Sequence, residues 1–276
     1  MRHTLLAILV FFTALPAFSA DGPKESAYDR VMKTQTIRCG YGTSKPWIYQ
    51  DLQTGKMQGL NVDIMQEIAK QLGLKLDWPE ETGWGELPTS LYNGRVDIAC
   101  SLLWNDPARG KQVAFTRPLF YTAIYAWTRE DELRFTGKPE EINNPSVRIV
   151  AQDGDMTASI AKRDFSAARM VSVPMNVSWS EIFTNVVDGK ADVVFADTIA
   201  VSNFNASNPK KLKKISLPRP AAVYGNSLAV GINETALKEI LETAVNYMLQ
   251  TGELQALTAD FRKQYPDAII LPTQPY

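Results

Sequence analysis

Tyr92-Asn93-Gly94-Arg95-Val96-Asp97-Ile98 and Val187-Asp188-Gly189-Lys190-Ala191-Asp192-Val193 carry one pattern twice, with Gly94 and Gly189 standing 95 positions apart. Each stretch closes a helix-like segment, turns at Gly, passes a basic and then a small apolar residue, and meets Asp before a run that reads as a buried strand. Working outward, the residues before each turn repeat a theme. In the first half, 36–41 reads as a strand. Leu60, Ile64, Ile68 and Leu72 recur at spacing four and predict a helix stopped by Gly73. Strand 74–78, helix 86–92 and strand 96–101 follow. In the second half, strand 148–151, helix 157–163, strand 170–173, helix 179–188 and strand 192–195 follow in the same order. Strands alternating with helices imply a mostly parallel sheet covered by helices. The chain is therefore expected to be α/β, with two similar lobes.

The lobes need not be consecutive in the chain. The aromatic run 120–127 and the apolar run 227–232 both read as strands, with 217–225 read as a loop, and two helices, 234–250 and 253–264, close the sequence. We expect two crossings, near 127–130 and 217–225. They make residues 21–127 plus 224–276 one lobe and 128–223 the other, joined by a two-strand hinge. A ligand held in the crevice would drive closure about that hinge.

Composition narrows the chemistry. Of 276 residues, 29 are basic and 30 acidic, a balance that argues against a nucleic-acid partner. The single histidine, His3, lies in a segment expected to be removed, which excludes a Ser-His-Asp or Cys-His nucleophile and a His-ligated zinc site. Residues 5–15 are apolar but too short to span a bilayer, Pro16 breaks them, and Ala17-Phe18-Ser19 offers small residues for cleavage. Residues 1–20 thus read as a secretory signal peptide and the mature protein as periplasmic. Cys39 and Cys100 sit in strand-like runs. An oxidising compartment allows a disulfide, and two buried thiols are the alternative. No metal-spaced cluster or phosphate loop is present, so no cofactor or metal is implied.

Four motifs, in order, resemble those of the extracytoplasmic solute-binding proteins of family 3, which serve polar-amino-acid ABC transporters and have the type II periplasmic-binding fold. They are Gly59-Leu60-Asn61-Val62-Asp63-Ile64, the stretch from Trp84 through Leu91 and Gly94 to Asp97, Arg109 with Val113-Ala114-Phe115-Thr116 and Pro118-Leu119-Phe120, and Ala191-Asp192-Val193-Val194-Phe195-Ala196-Asp197. The resemblance spans about 35–265. It implies that Arg109 clamps a ligand carboxylate through its planar fork, where the alternative is a solvent-exposed arginine at a helix start. It implies that Asp197, at the carboxyl end of a strand, takes the ligand's ammonium, where the alternative is a helix N-cap. Trp47 is expected to stack on the ligand. Leu102 and Trp104 precede Arg109 where the family places backbone and hydroxyl contacts. Tyr41 is a weaker candidate, and Trp84 is expected in the core.

Two positions depart from the family. Asp106 stands where a Thr is usual, three residues before the arginine. Gly154-Asp155-Met156 replaces Gly-Thr-Thr at the second lobe's first helix. A carboxylate there competes with an anionic ligand for the helix N-terminus, so either the ligand is cationic or weakly anionic, or Asp155 caps its own helix and points away. Thr157 is then the candidate hydroxyl donor. The resemblance implies a monomeric, non-enzymatic protein that captures a small polar, amino-acid-like ligand for ABC-transporter membrane subunits. The alternatives are a cyclohexadienyl dehydratase-like enzyme on the same scaffold and a ligand-sensing accessory protein.

Overall fold

The computed structural model describes residues 25–174 and 176–273; the expected signal peptide lies outside them. The first half runs α1 (Ala27–Thr34), β1 (Thr36–Tyr41), β2 (Tyr49–Gln50), β3 (Met57–Gln58), α2 (Leu60–Leu72), β4 (Lys75–Glu81), α3 (Leu87–Tyr92), β5 (Ile98–Trp104) and β6 (Val113–Phe115). The long strand β7 (Phe120–Arg129) leads to α4 (Pro139–Ile142), β8 (Arg148–Gln152), α5 (Met156–Asp164), β9 (Arg169–Val173), α6 (Trp179–Val187), β10 (Val193–Ala196), α7 (Thr198–Ser207) and β11 (Leu212–Lys214). A second long strand, β12 (Ala222–Gly231), returns the chain to α8 (Thr235–Thr251), α9 (Glu253–Leu257) and α10 (Ala259–Gln264).

The main sheet has the order β4-β1-β5-β12-β7-β10-β8-β9. β1 lies parallel between β4 and β5, and β8 lies parallel between β9 and β10. Each parallel trio meets an antiparallel strand that belongs to the connection: β12 beside β5, and β7 beside β10. β7 pairs with β12 from Phe120 to Ile124 and with β10 from Tyr125 to Trp127. The strand pair β7–β12 is thus the covalent and hydrogen-bonded link between the two halves. The segment 217–225, expected as a loop, is strand from Ala222 onward, because it pairs with β7.

The apolar runs after the two Gly turns are continuous because both faces of each strand are covered. On β5, Ile98, Cys100 and Leu102 face the core under α2 and α8, while Ala99 and Leu103 face α3. On β10, Val193 and Phe195 face α5, while Val194 and Ala196 face α6 and α7. The C-terminal helices belong to the first core through Leu237, Leu241, Val245 and Leu254. The expected helix 253–264 is divided at buried Thr258, whose hydroxyl donates to the Leu254 carbonyl at 2.7 Å. β4 runs beyond Trp78 through Pro79; it is an edge strand, where a missing N–H costs no ladder bond.

The repeated Asp is structural in both halves. The Asp97 amide donates to the Arg38 carbonyl at 2.8 Å, and the Arg38 amide donates back to Asp97 Oδ2 at 2.7 Å. Asp192 and Arg148 exchange the same two bonds at 2.8 and 2.9 Å. Both carboxylates are buried, and arginines neutralise them: Arg30 and Arg38 on Asp97, and Arg129, Arg134 and Arg148 on Asp192. Buried Glu132 shares Arg129 and Arg134.

These clamps make an acid-stability prediction. Hydrogen bonds from Arg134 hold the Glu132 carboxyl at about 2. Burial pushes Asp192 up, but its bonds to Arg148 and Arg134 override this and bring it to about 2. Both values are depressed by folding, so their stabilisation is present above the unfolded-state values and is lost as pH falls from about 4.5 towards 2. Each carboxylate contributes roughly 2–3 kcal/mol at neutral pH. Thermal unfolding followed at pH 6, 4 and 2.5 is expected to show a steep drop below pH 4, and the drop is expected to be shallower in Asp192→Asn. A flat profile across that range would contradict the clamp.

Cys39 and Cys100 are joined by a disulfide with Cα atoms 5.4 Å apart. Cys39 pairs in register with Ile98, so Cys100 lies two residues further along the neighbouring strand. An offset of two keeps both side chains on one face, which is how adjacent parallel strands accommodate the bridge.

Candidate functional site

A cavity of about 710 Å³ lies between the two halves. From the first half, Trp47, Asn61, Trp84, the segment 101–104 and Arg109 border it; from the second, Gln152, Asp155, Trp179 and Asp197 do. The hinge strands add Phe120, Thr122 and Asn226. The halves also touch directly. Ile199 of α7 is buried in the first half's core, and Asn203 donates to the Lys45 carbonyl at 2.9 Å.

Each wall residue has a local cause. Gly59 has a φ of 113°, and a Cβ there would lie 2.5 Å from the Trp47 carbonyl oxygen. The α2 amides of Leu60 and Asn61 donate to the carbonyls of Pro46 and Trp47. The first turn of α2 therefore grips the loop that presents Trp47. The Trp47 ring is half-buried and stacks on Phe120 at 5.7 Å, with Phe261 at 5.0 Å. Core rings thus take part of the aromatic surface expected to meet the ligand. Asn61 donates through Nδ2 to the Ser101 carbonyl at 2.8 Å.

Leu102 has a φ of 53° near the point where β5–β12 pairing shifts register, between Ser227 and Ala229. An ordinary side chain in the left-handed region is unusual within a strand, and such conformations cluster at functional sites. Trp104, further along β5, stacks on Tyr224 at 5.8 Å.

Arg109 opens a short 3-10 turn and borders the cavity. Asp106 caps that turn: its Oδ1 accepts from the Ala108 and Arg109 amides, and its Oδ2 lies 3.3 Å from Arg109 Nη1. Asp155 is the N-cap of α5, accepting from the Thr157 amide at 3.1 Å, and it still borders the cavity. Asp197 is the N-cap of α7, accepting from the Ala200 amide at 2.9 Å. It stands directly after β10, and burial pushes its carboxyl up despite the backbone N–H groups that favour its charged form. Arg109 and Asp197 therefore share one cavity, and the cap and cleft positions expected as alternatives for Asp197 coincide.

Three expectations are corrected. Tyr41 is buried, edge-on to Trp78 at 5.8 Å, and does not border the cavity, because its strand turns that side chain into the core. Thr157 is buried, its hydroxyl oxygen accepts from the Gln152 amide at 3.0 Å, and it does not border the cavity, so it stands behind the cleft wall and not in it. Trp84, expected in the core, packs against Leu87 and Leu91's cluster but also borders the cavity. Sequence reasoning missed Asn61 and Trp179. Asn61 shares a helix face with Ile64, Met65 and Ile68, and a lone amide on an apolar face is the signal that marks it. Trp179 opens α6 after the Ser178 cap, a position indistinguishable in sequence from a surface residue.

Two α/β halves, crossed twice and enclosing a polar and aromatic cavity beside the hinge, define a protein of the two-lobed periplasmic-binding class. The comparisons agree. The model of the bacterial extracellular solute-binding proteins, family 3, matches residues 37–264, and the chain belongs to that family. It is similar to the cyclohexadienyl dehydratase of Pseudomonas aeruginosa, 31% identical over 200 residues that cover 72% of each chain. It is also similar to the L-cystine-binding protein TcyA of Bacillus subtilis, 25% identical over 260 residues, 88% of this chain and 93% of that one. Among solved structures, the ancestral amino acid-binding protein AncCDT-1, a precursor of cyclohexadienyl dehydratase, superposes with a TM-score of 0.69 at 23% identity. That match covers 86% of this chain and 99% of the other.

Proposed function

We propose that this protein is a periplasmic solute-binding protein that captures a small polar ligand, an amino acid or a related compound, and delivers it to ABC-transporter membrane subunits. Residues 21–127 with 224–276 form one lobe and 128–223 the other, and they close about β7–β12 as the ligand enters. The observation that carries this reading is the cavity between the halves, with Asp197 of one and Arg109 of the other in its wall. A carboxylate at the carboxyl end of a strand, in the crevice of an α/β sheet, is placed to receive a ligand ammonium. The protein acts alone, as a monomer, without a cofactor and without catalysis.

The second reading, a dehydratase, is favoured by the Pseudomonas aeruginosa relative. Absorbance separates the two. Incubation with prephenate or arogenate is expected to yield neither phenylpyruvate nor phenylalanine, and formation of either product would overturn the pure binding role.

A further inference from the structure

The cavity holds two features suited to a carboxylate, a guanidinium and a helix N-terminus, and a protein carboxylate already contacts each. Asp106 Oδ2 lies against Arg109 Nη1 at 3.3 Å, and Asp155 accepts from the first-turn amide of α5 at 3.1 Å. A helix N-terminus capped by Asp has part of its partial positive charge met by its own chain, and a guanidinium beside a neighbouring carboxylate forms a pair with no net charge, so both favour an incoming carboxylate less than they would uncapped and unpaired. Around the cavity, Glu86, Asp155 and Asp197 then face no unpaired cation among the described residues that line it. An incoming carboxylate would be desolvated beside these anions, and such a buried unpaired charge is a strong means of rejection.

The rest of the wall suits a cation with an apolar body. Trp47, Trp84, Trp104, Phe120 and Trp179 border the cavity. Indole faces attract ammonium groups and cover flat or extended apolar surface. The buried Asn61, 2% exposed and in the same wall, commits its Nδ2 to Ser101 and leaves Oδ1 with no hydrogen-bond partner among the described residues. An orphaned acceptor of this kind calls for a donor.

We infer that the cleft takes an organic amine with an aromatic or extended apolar body and no carboxylate, its ammonium on Asp197 and its body among the tryptophans. This rests on the two-lobed capture proposed above and narrows its ligand. Asp106 and Asp155 act as specificity residues that exclude the parent amino acids.

Calorimetry with matched pairs tests it: phenethylamine against L-phenylalanine, tryptamine against L-tryptophan, and agmatine against L-arginine, each titrated into the purified mature protein. At least one amine is expected to bind tenfold or more tightly than its parent. The double variant Asp106→Thr with Asp155→Thr keeps a capping hydroxyl at both turns and is expected to move that ratio at least tenfold towards the amino acid. An amino acid that binds as tightly as its amine overturns the inference, and so does a set of pairs in which nothing binds at millimolar concentration. A ratio unchanged in a folded double variant overturns it as well. Tight amino-acid binding would leave the capture role standing, whereas turnover of prephenate or arogenate would strike the capture role itself.

Discussion

Asp197→Asn is expected to weaken binding of whichever titrant saturates the cleft by about thirtyfold or more, while the empty protein unfolds at an unchanged or slightly higher temperature. The two readouts part because the residue has two jobs. As the N-cap of α7 it accepts from the Ala200 amide, and Asn caps a helix about as well as Asp does. In the proposed function, as the carboxylate at the end of β10, it supplies the charge that meets an ammonium. Removing one partner of a desolvated charge pair costs roughly 2–5 kcal/mol of binding. The empty protein gains slightly, because the variant no longer encloses a carboxylate that burial disfavours. Calorimetry and a melting curve on the same sample check both halves of the expectation. Equal affinity in the variant would remove Asp197 from the site.

The double substitution Cys39→Ala with Cys100→Ala is expected to be the most destabilising change that leaves the cleft residues untouched. The bridge joins positions 61 residues apart. In the chain-entropy account, a loop of that size constrains the unfolded chain by roughly 4 kcal/mol. For a domain of this size, that corresponds to a fall of roughly 8–16 °C in the unfolding temperature. Both sulfurs are buried in the first half's core beneath α2 and α8, so the loss falls on one half. The first half is then expected to exchange its amide hydrogens faster than the second, as read by mass spectrometry. An unfolding temperature within about 2 °C of the parent would mean that the bridge contributes little.

What could be read in the sequence was what repeats along it. The two Gly turns located the pivotal strands, since a continuous apolar run after each implies a strand covered on both faces. The aspartates in those turns are equally periodic, but their role is visible only when Arg38 and Arg148 are brought across from neighbouring strands. Local signals failed where pairing overrode them. Pro79 marks an end in sequence yet sits within an edge strand, and 222–225 looks like loop until β7 provides its partner. At the site, charge was legible and direction was not. Asp155 reads as a cap or a cleft residue, and folding makes it both. Thr157 reads as a donor, but the close packing of α5 on β8 turns its hydroxyl onto the Gln152 amide. Trp179 carried no distinguishing pattern, because only the juxtaposition of the halves makes its position a wall.

Small-angle X-ray scattering during a ligand titration tests most directly whether the cavity works by closing two lobes on its contents. The radius of gyration is expected to fall as the site fills, with a midpoint matching the calorimetric one, and to stay constant when Asp197→Asn receives the same concentrations. A radius that does not change while calorimetry reports a full site would contradict hinged capture between the lobes.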